Sequence, residues 1–212
     1  MYPQGTSKNL FPTTIYEAIW PDFENIRQSL IDKVIPYFGT NLAPGNDYVD
    51  SNGVDIFKRT VPNLHLYPEF KEVIKFIEYH GREYWKIMGW TTQEQPYVLQ
   101  LWANDVPPGG FTPAHNHNPV AVGGALYLDA EPLKGNLHLE DPMQMVKGRM
   151  PYDWQKKPYL YTEEITVEAG KLIMFPGWLM HHVRSNRSDS NRIVIGYNFG
   201  LTWNYKSRPY TL

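Results

Sequence analysis

The sequence predicts a mainly β domain, a sandwich or jelly roll braced by helices near its N-terminal end. Three observations lead there. From residue 97 onward, short runs rich in β-branched and aromatic residues recur, each bounded by Gly, Pro, Asn or Asp. Two stretches with apolar residues at helical spacing precede them. Aromatics make up 15% of the chain, with 15 Tyr and 7 Trp, which suits broad pleated surfaces and a lined cavity.

In chain order, "NLFPTTIYEAIWP" reads as a short β-segment. Pro21 then opens a helix with Asp22 as its N-cap, and Phe23, Ile26, Leu30 and Val34 form the apolar stripe. Pro36 and Gly39 end it, and "GTNLAPGNDYVDSNGVD" reads as a polar, turn-rich loop. A second helix starts near Pro68, with Phe70, Val73, Ile74 and Ile77 on its apolar face and the pattern continuing to Trp85 and Met88. The predicted strands are "YVLQLWAND", "AVGGALYLD", "GNLHLEDP", "EEITVEAG", "KLIMFPG" and "NRIVIGYNF". Residues 143–164 break this rhythm, a long aromatic stretch whose basic-aromatic part, 147–161, is either a lid over substrate or a surface excursion. The chain reads as one domain over 1–212, with 1–96 supplying a strand and supporting helices and 97–212 forming the jelly-roll core that carries the site.

The totals narrow the function. A net charge of −2 with no basic stripe argues against nucleic acid as partner. No apolar run approaches the roughly 20 residues that cross a bilayer, and "MYPQGTSKNLF" lacks the charged and apolar regions of a signal peptide. The expectation is a cytoplasmic protein acting on a small-molecule or peptide substrate; a homodimer stays open. With no cysteine, disulfides and thiolate metal sites are excluded, so any metal must be held by His, Asp or Glu.

Metal-type residues gather in two segments. His115 and His117, in "PAHNHNPVAVGGALYLD", stand two apart, so on a strand they share a face while Asn116 turns away. On spacing alone they could equally be two surface histidines. The second segment is "EAGKLIMFPGWLMHHV": a turn, an apolar strand, a Pro-Gly corner, then His181 and His182. Adjacent strand residues face opposite ways, so only one of that pair enters a shared cavity. Three histidines can hold a metal and leave coordination positions open. Arg192 heads the run "RIVIGYNF", and a charge at the head of a buried strand needs a partner. That partner is either a surface acid such as Asp189 or a carboxylate gripped bidentately at a cavity floor. His138 reads as an ordinary polar strand residue, and Trp102 and Asn104 as cavity lining or as core and turn.

Taken in order, His115-Asn116-His117, "ALYLD", "GNLHLEDP", "AGKLIMFPGWLMHHV" and "RIVIGYNF" resemble the iron(II)/2-oxoglutarate-dependent oxygenases, and more closely the prolyl-hydroxylase-like group of bacterial and phage 2OG-Fe(II) oxygenases. The resemblance implies a double-stranded β-helix, Fe(II) as cofactor, and 2-oxoglutarate as cosubstrate. It implies a dioxygenase that oxidises a C–H bond, by default to an alcohol, with succinate and CO2 as co-products. By the same resemblance His115 and His181 match metal ligands, Arg192 matches the residue that pairs with the far carboxylate of 2-oxoglutarate, and Tyr127 matches a strand tyrosine bonded to it. His117 stands where the family usually has an aspartate, so either His117 is the third ligand or a nearby acid, Asp141 or Glu140, replaces it.

Two other readings compete. Gly170, Pro176 and His181 also fit the spacing of a cupin's second motif, which would make a three-His metal dioxygenase that needs no 2-oxoglutarate. Against it, Ala121 and Val122 stand where the first cupin motif has Glu, and Trp178 stands where a Gly is expected. A non-catalytic jelly-roll binding module is the remaining alternative.

Overall fold

The structure is a computed structural model that describes residues 12–39, 47–50, 55–90, 96–143 and 162–200. Two antiparallel sheets face each other. The larger holds β1 (Tyr16–Ile19), β2 (Asp47–Val49), β3 (Asp55–Arg59), β4 (Tyr97–Val106), β6 (Val122–Asp129), β9 (Lys171–Pro176) and β11 (Arg192–Gly200), in the order β1-β9-β6-β11-β4-β3-β2. The smaller holds β5 (Thr112–His115), β7 (Leu137–Glu140), β8 (Thr162–Ile165) and β10 (His181–Val183), in the order β5-β10-β7-β8. Two helices, α1 (Glu24–Val34) and α2 (Lys71–Ile87), cover the outer face of the larger sheet, α1 against β6 and α2 against β4 and β9. This is the expected jelly roll with N-terminal helices.

The larger sheet is covered on both faces, which explains why its strands read as nearly continuous apolar runs. In β9, Leu172 and Met174 join the core under the helices, while Ile173 and Phe175 join the core between the sheets. In β6, Leu126 and Leu128 pack toward the helices and Tyr127 toward the smaller sheet. Central β11 divides likewise: Ile195 and Tyr197 face the helices, and Val194 faces the inter-sheet space. Arg192 and Gly196 therefore share the inner face with Val194.

Several local expectations are corrected. Asp22 does not cap α1: it takes a left-handed φ of 52°, Phe23 precedes the first helical residue, and the Asp22 carbonyl accepts from Asn25 in a turn. The segment read as a loop contains β2, which pairs with β3 at the sheet edge, and β3 itself was not read as a strand. The alternation in "DYV" and "DIFKR" is too short to stand out from its polar surroundings. Of the long loop 143–164, Thr162 to Glu164 belong to β8, and 144–161 lie outside the described residues. Among the described residues no helix is long and apolar enough to cross a membrane.

Candidate metal centre and its cavity

His181 opens β10 and lies directly opposite His115, the last residue of β5, so these two imidazoles are cross-strand neighbours. Their ring centroids are 4.3 Å apart. The shared-face argument for His115 and His117 does not hold as stated, because β5 ends at His115 and His117 lies beyond it. A turn brings His117 in instead. Its backbone N–H donates to the Gly177 carbonyl (2.7 Å), and the Gly177 N–H donates to Ala121 (2.9 Å), tying the turn to the Pro176-Gly177 corner. A glycine is required where this ring lands: a Cβ on Gly123 would sit 2.2 Å from the Nδ1 of His117. The ring centroid of His117 is 5.3 Å from that of His115 and 5.0 Å from that of His181. One ring nitrogen from each of the three lies within 4.8 Å of the others, the only such cluster of His, Cys, Asp or Glu among the described residues.

Each ring is held by its far nitrogen. The Nδ1 of His115 meets the Pro113 carbonyl (2.9 Å), that of His181 meets the Leu179 carbonyl (2.9 Å), and that of His117 meets Oδ1 of Asn198 (2.6 Å). A carbonyl oxygen only accepts, so each Nδ1 carries the proton and each Nε2 presents a lone pair. Asn198 is itself oriented by donating from Nδ2 to Gln100 (2.7 Å). Burial pushes the proton affinity of all three rings down, that of His117 to about 4 and of His181 to about 3. All three are neutral at pH 7, as metal ligation requires.

The carboxylate alternatives are not at this site. Glu140 pairs with His182 (3.1 Å), and Asp141 accepts from the backbone of Met143 (2.8 Å). His182 thus turns away from the cluster, as adjacent strand residues must. His138 does too; it is buried and stacks on His182 at 5.0 Å.

From the three imidazoles an inner cavity of about 50 Å³ runs between the sheets to Arg192, with Tyr127, Trp102 and Asn104 on its walls. Arg192 is fully buried and does not pair with Asp189. Its Nη1 donates to the carbonyls of Lys134 and Gly135, in a turn where Gly135 takes a φ of 94°. Its Nε and Nη2 have no partner among the described residues. A buried guanidinium with two free N–H groups on one edge fits a bidentate carboxylate, since leaving those donors unmet costs more than the bonds it makes return. Burial lowers its proton affinity to about 10 and raises that of Tyr127 to about 12, so at pH 7 Arg192 is charged and Tyr127 is a hydroxyl donor. The donor set and the orphaned N–H groups together fit a divalent metal and a diacid reaching from it.

On the outer side of the histidines a groove of about 320 Å³ opens, lined by His115, His117, Trp102, Gln100, Asn198 and, from β3, Arg59. Sequence reasoning missed Arg59 and Asn198. Asn198 lay within the quoted "RIVIGYNF" but had no partner to give it meaning, and Arg59 belongs to a strand that was not recognised.

Residues 100–198 match the family described as "Putative 2OG-Fe(II) oxygenase". Comparison with curated proteins gives no significant match. Among solved structures the chain resembles SnoK, a non-heme α-ketoglutarate-dependent carbocyclase from nogalamycin biosynthesis, at 14% identity and TM-score 0.61, covering 88% of this chain and 79% of that one. It also resembles HygX from Streptomyces hygroscopicus, solved with nickel and 2-oxoglutarate, at 12% identity and TM-score 0.59 over 90% of this chain and 84% of that one. A 2OG-Fe(II) oxygenase family oxidoreductase from Burkholderia pseudomallei matches at 11% identity and TM-score 0.54 over 87% and 84%. At such identities these likenesses establish the jelly-roll fold. The jelly-roll region, residues 100–198, is thus similar in sequence to the 2OG-Fe(II) oxygenases, and the chain shares the fold of solved members of that group.

Proposed function

We propose that this protein is an Fe(II)- and 2-oxoglutarate-dependent dioxygenase that oxidises a C–H bond of a small-molecule or peptide substrate. His115, His117 and His181 hold the iron through Nε2, and no carboxylate among the described residues joins them. Arg192, through Nε and Nη2, and Tyr127, through its hydroxyl, hold the distal carboxylate of 2-oxoglutarate. When bound, iron and cosubstrate together supply dioxygen activation coupled to decarboxylation, with succinate and CO2 as products. The chain's own part is orientation and exclusion of water. Pro113, Leu179 and Asn198 keep the three Nδ1 protons in place, so the ligand atoms stay aimed. The packed walls around Arg192 raise the strength of its ion pair by removing competing solvent. Hydroxylation is the default outcome of such chemistry.

The observation that carries this reading is the pair of unpartnered, buried N–H groups on Arg192, a residue that lines the same cavity as the three imidazoles. A three-His dioxygenase without cosubstrate leaves that buried charge unexplained. The same proposal takes residues 1–212 as one domain, supported by β1, β2 and β3, which lie in the same sheet as β4. It places the protein in the cytoplasm, a reducing compartment that keeps iron ferrous.

The test is anaerobic titration with Fe(II) and then 2-oxoglutarate, watching for the weak visible charge-transfer band of their joint binding. We expect the band in the parent protein. In Arg192→Ala we expect unchanged iron binding and at least about tenfold weaker 2-oxoglutarate binding, the loss of a charge-assisted pair. Equal cosubstrate affinity in the two proteins, or oxygen consumption independent of 2-oxoglutarate, would refute the proposal.

A further inference from the structure

The outer groove holds a second guanidinium whose partners explain its position but not its charge. Arg59 ends β3 opposite Asn104 of β4. Its Nε donates to Oδ1 of Asn104 (3.0 Å), and its Nη1 reaches the Tyr48 hydroxyl (3.4 Å). Its CZ lies 5.2 Å from the ring centroid of Tyr48, 5.3 Å from Phe57 and 5.5 Å from Trp102, an aromatic seat that fixes the plane of the fork. No carboxylate pairs with it among the described residues, whose ion pairs engage other basic groups. Arg59 lines both the inner cavity and the outer groove, and His115 and His117 line both with it.

The charge of the whole site points the same way. Among the described residues, neither the inner cavity nor the outer groove is lined by an Asp or Glu. With a third imidazole in place of a carboxylate, the filled centre is one unit more positive than a site of two His and one acid. Fe(II), Arg59 and Arg192 bring four positive charges, and 2-oxoglutarate brings two negative ones. The excess sits at the groove, where Arg59 is the one charged side chain among the described lining residues.

We propose that the substrate carries an oxyanion, a carboxylate or a phosphate, which docks on Arg59 and so presents its C–H bond to the metal from the outer groove. Gln100 and Asn116 then supply neutral hydrogen bonds to the rest of the molecule. This rests on the iron and 2-oxoglutarate reading above, and the test keeps the two apart.

The protein is loaded anaerobically with Fe(II) and 2-oxoglutarate, then titrated with benzoate, phenyl phosphate and the uncharged benzamide. Tryptophan fluorescence and the visible band are followed together, since Trp102 lines the groove. We expect at least one of the two anions to saturate with an affinity about tenfold or more above that of benzamide, with the band shifted but not lost; the tighter anion identifies the headgroup. Arg59→Gln should erase the discrimination, and Arg59→Lys should keep part of it. If no band forms on loading, the cofactor reading itself is wrong. If the band forms but the anions bind no better than benzamide, Arg59 does not recognise substrate. If the anions abolish the band, they occupy the Arg192 end in place of 2-oxoglutarate, which also overturns the assignment. The titration of the parent protein decides the matter even where Arg59→Gln fails to fold.

Discussion

Asn198 shows how much one neutral side chain can determine. It accepts the Nδ1 proton of His117 and donates to Gln100, so it sets both the tautomer and the plane of the one imidazole that no strand positions. Removing such an outer partner typically costs about 10–100-fold in metal affinity. We therefore expect Asn198→Ala to weaken Fe(II) binding within that range, measured by competition with a chelator, while Asn116→Ala leaves it unchanged. The depressed proton affinities give a second expectation at this scale. At pH 6.0, three ordinary imidazoles would be mostly protonated and would release about two protons on binding a metal. Here burial holds His117 at about 4 and His181 at about 3, so both are already neutral at that pH. Calorimetric titration with Fe(II) in two buffers of different ionisation enthalpy should show release of less than one proton; two or more would contradict the burial argument.

The turn after β6 links the Arg192 cradle to fold stability. Lys134 is buried in it, and its Nζ reaches Asp129 (2.8 Å) and the Asn191 carbonyl (2.9 Å), while its own carbonyl accepts from Arg192. Asp129 is also bound by Arg27 of α1 (2.6 Å), so one carboxylate ties a helix, a strand and the Arg192 cradle together. Asp129→Ala leaves a buried ammonium without its counter-charge, a change that costs about 3–5 kcal/mol for a fully buried pair. Asp129 is partly exposed, so we expect less, about 2 kcal/mol by urea unfolding, together with weaker 2-oxoglutarate binding and unaltered iron binding. At the other end of the site, Gly123→Ala places a methyl against the ring of His117. We expect it to reduce iron affinity with little change in global stability, because the turn carrying His117 can move where the strand cannot.

Across the whole molecule, the site joins the two sheets: His115 and His181 belong to the smaller, and Arg192, Tyr127 and Asn198 to the larger. Ligands that bridge them should stabilise the folded chain. At about 100 times its dissociation constant a ligand contributes about 2.7 kcal/mol, and for a chain of this size each kcal/mol raises Tm by about 2–4 °C. Fe(II) and 2-oxoglutarate should each raise Tm by about 5–10 °C, the second increment falling by about half or more in Arg192→Ala and both vanishing on chelation. A melting temperature indifferent to both would show that the sheets are not linked through this site.

The sequence by itself determined the class of fold, the chemistry of the donors and which residues of β11 share a face with Arg192, but not where that face looks. Those follow from local rules: a period of two along "RIVIGYNF" puts Arg192 on the face that Val194 and Gly196 share, and opposite facing of neighbours separates His181 from His182. The tertiary structure alone decided that His117 rather than Glu140 or Asp141 completes the cluster, and that Asn198 and Arg59 belong to the site. His117 is placed by a turn hydrogen-bonded to a distant corner, Asn198 by a partner on another segment, and Arg59 by an edge strand whose short alternation is lost in a polar stretch. Periodicity reports which face a side chain takes; it carries no information about which distant segment that face will meet.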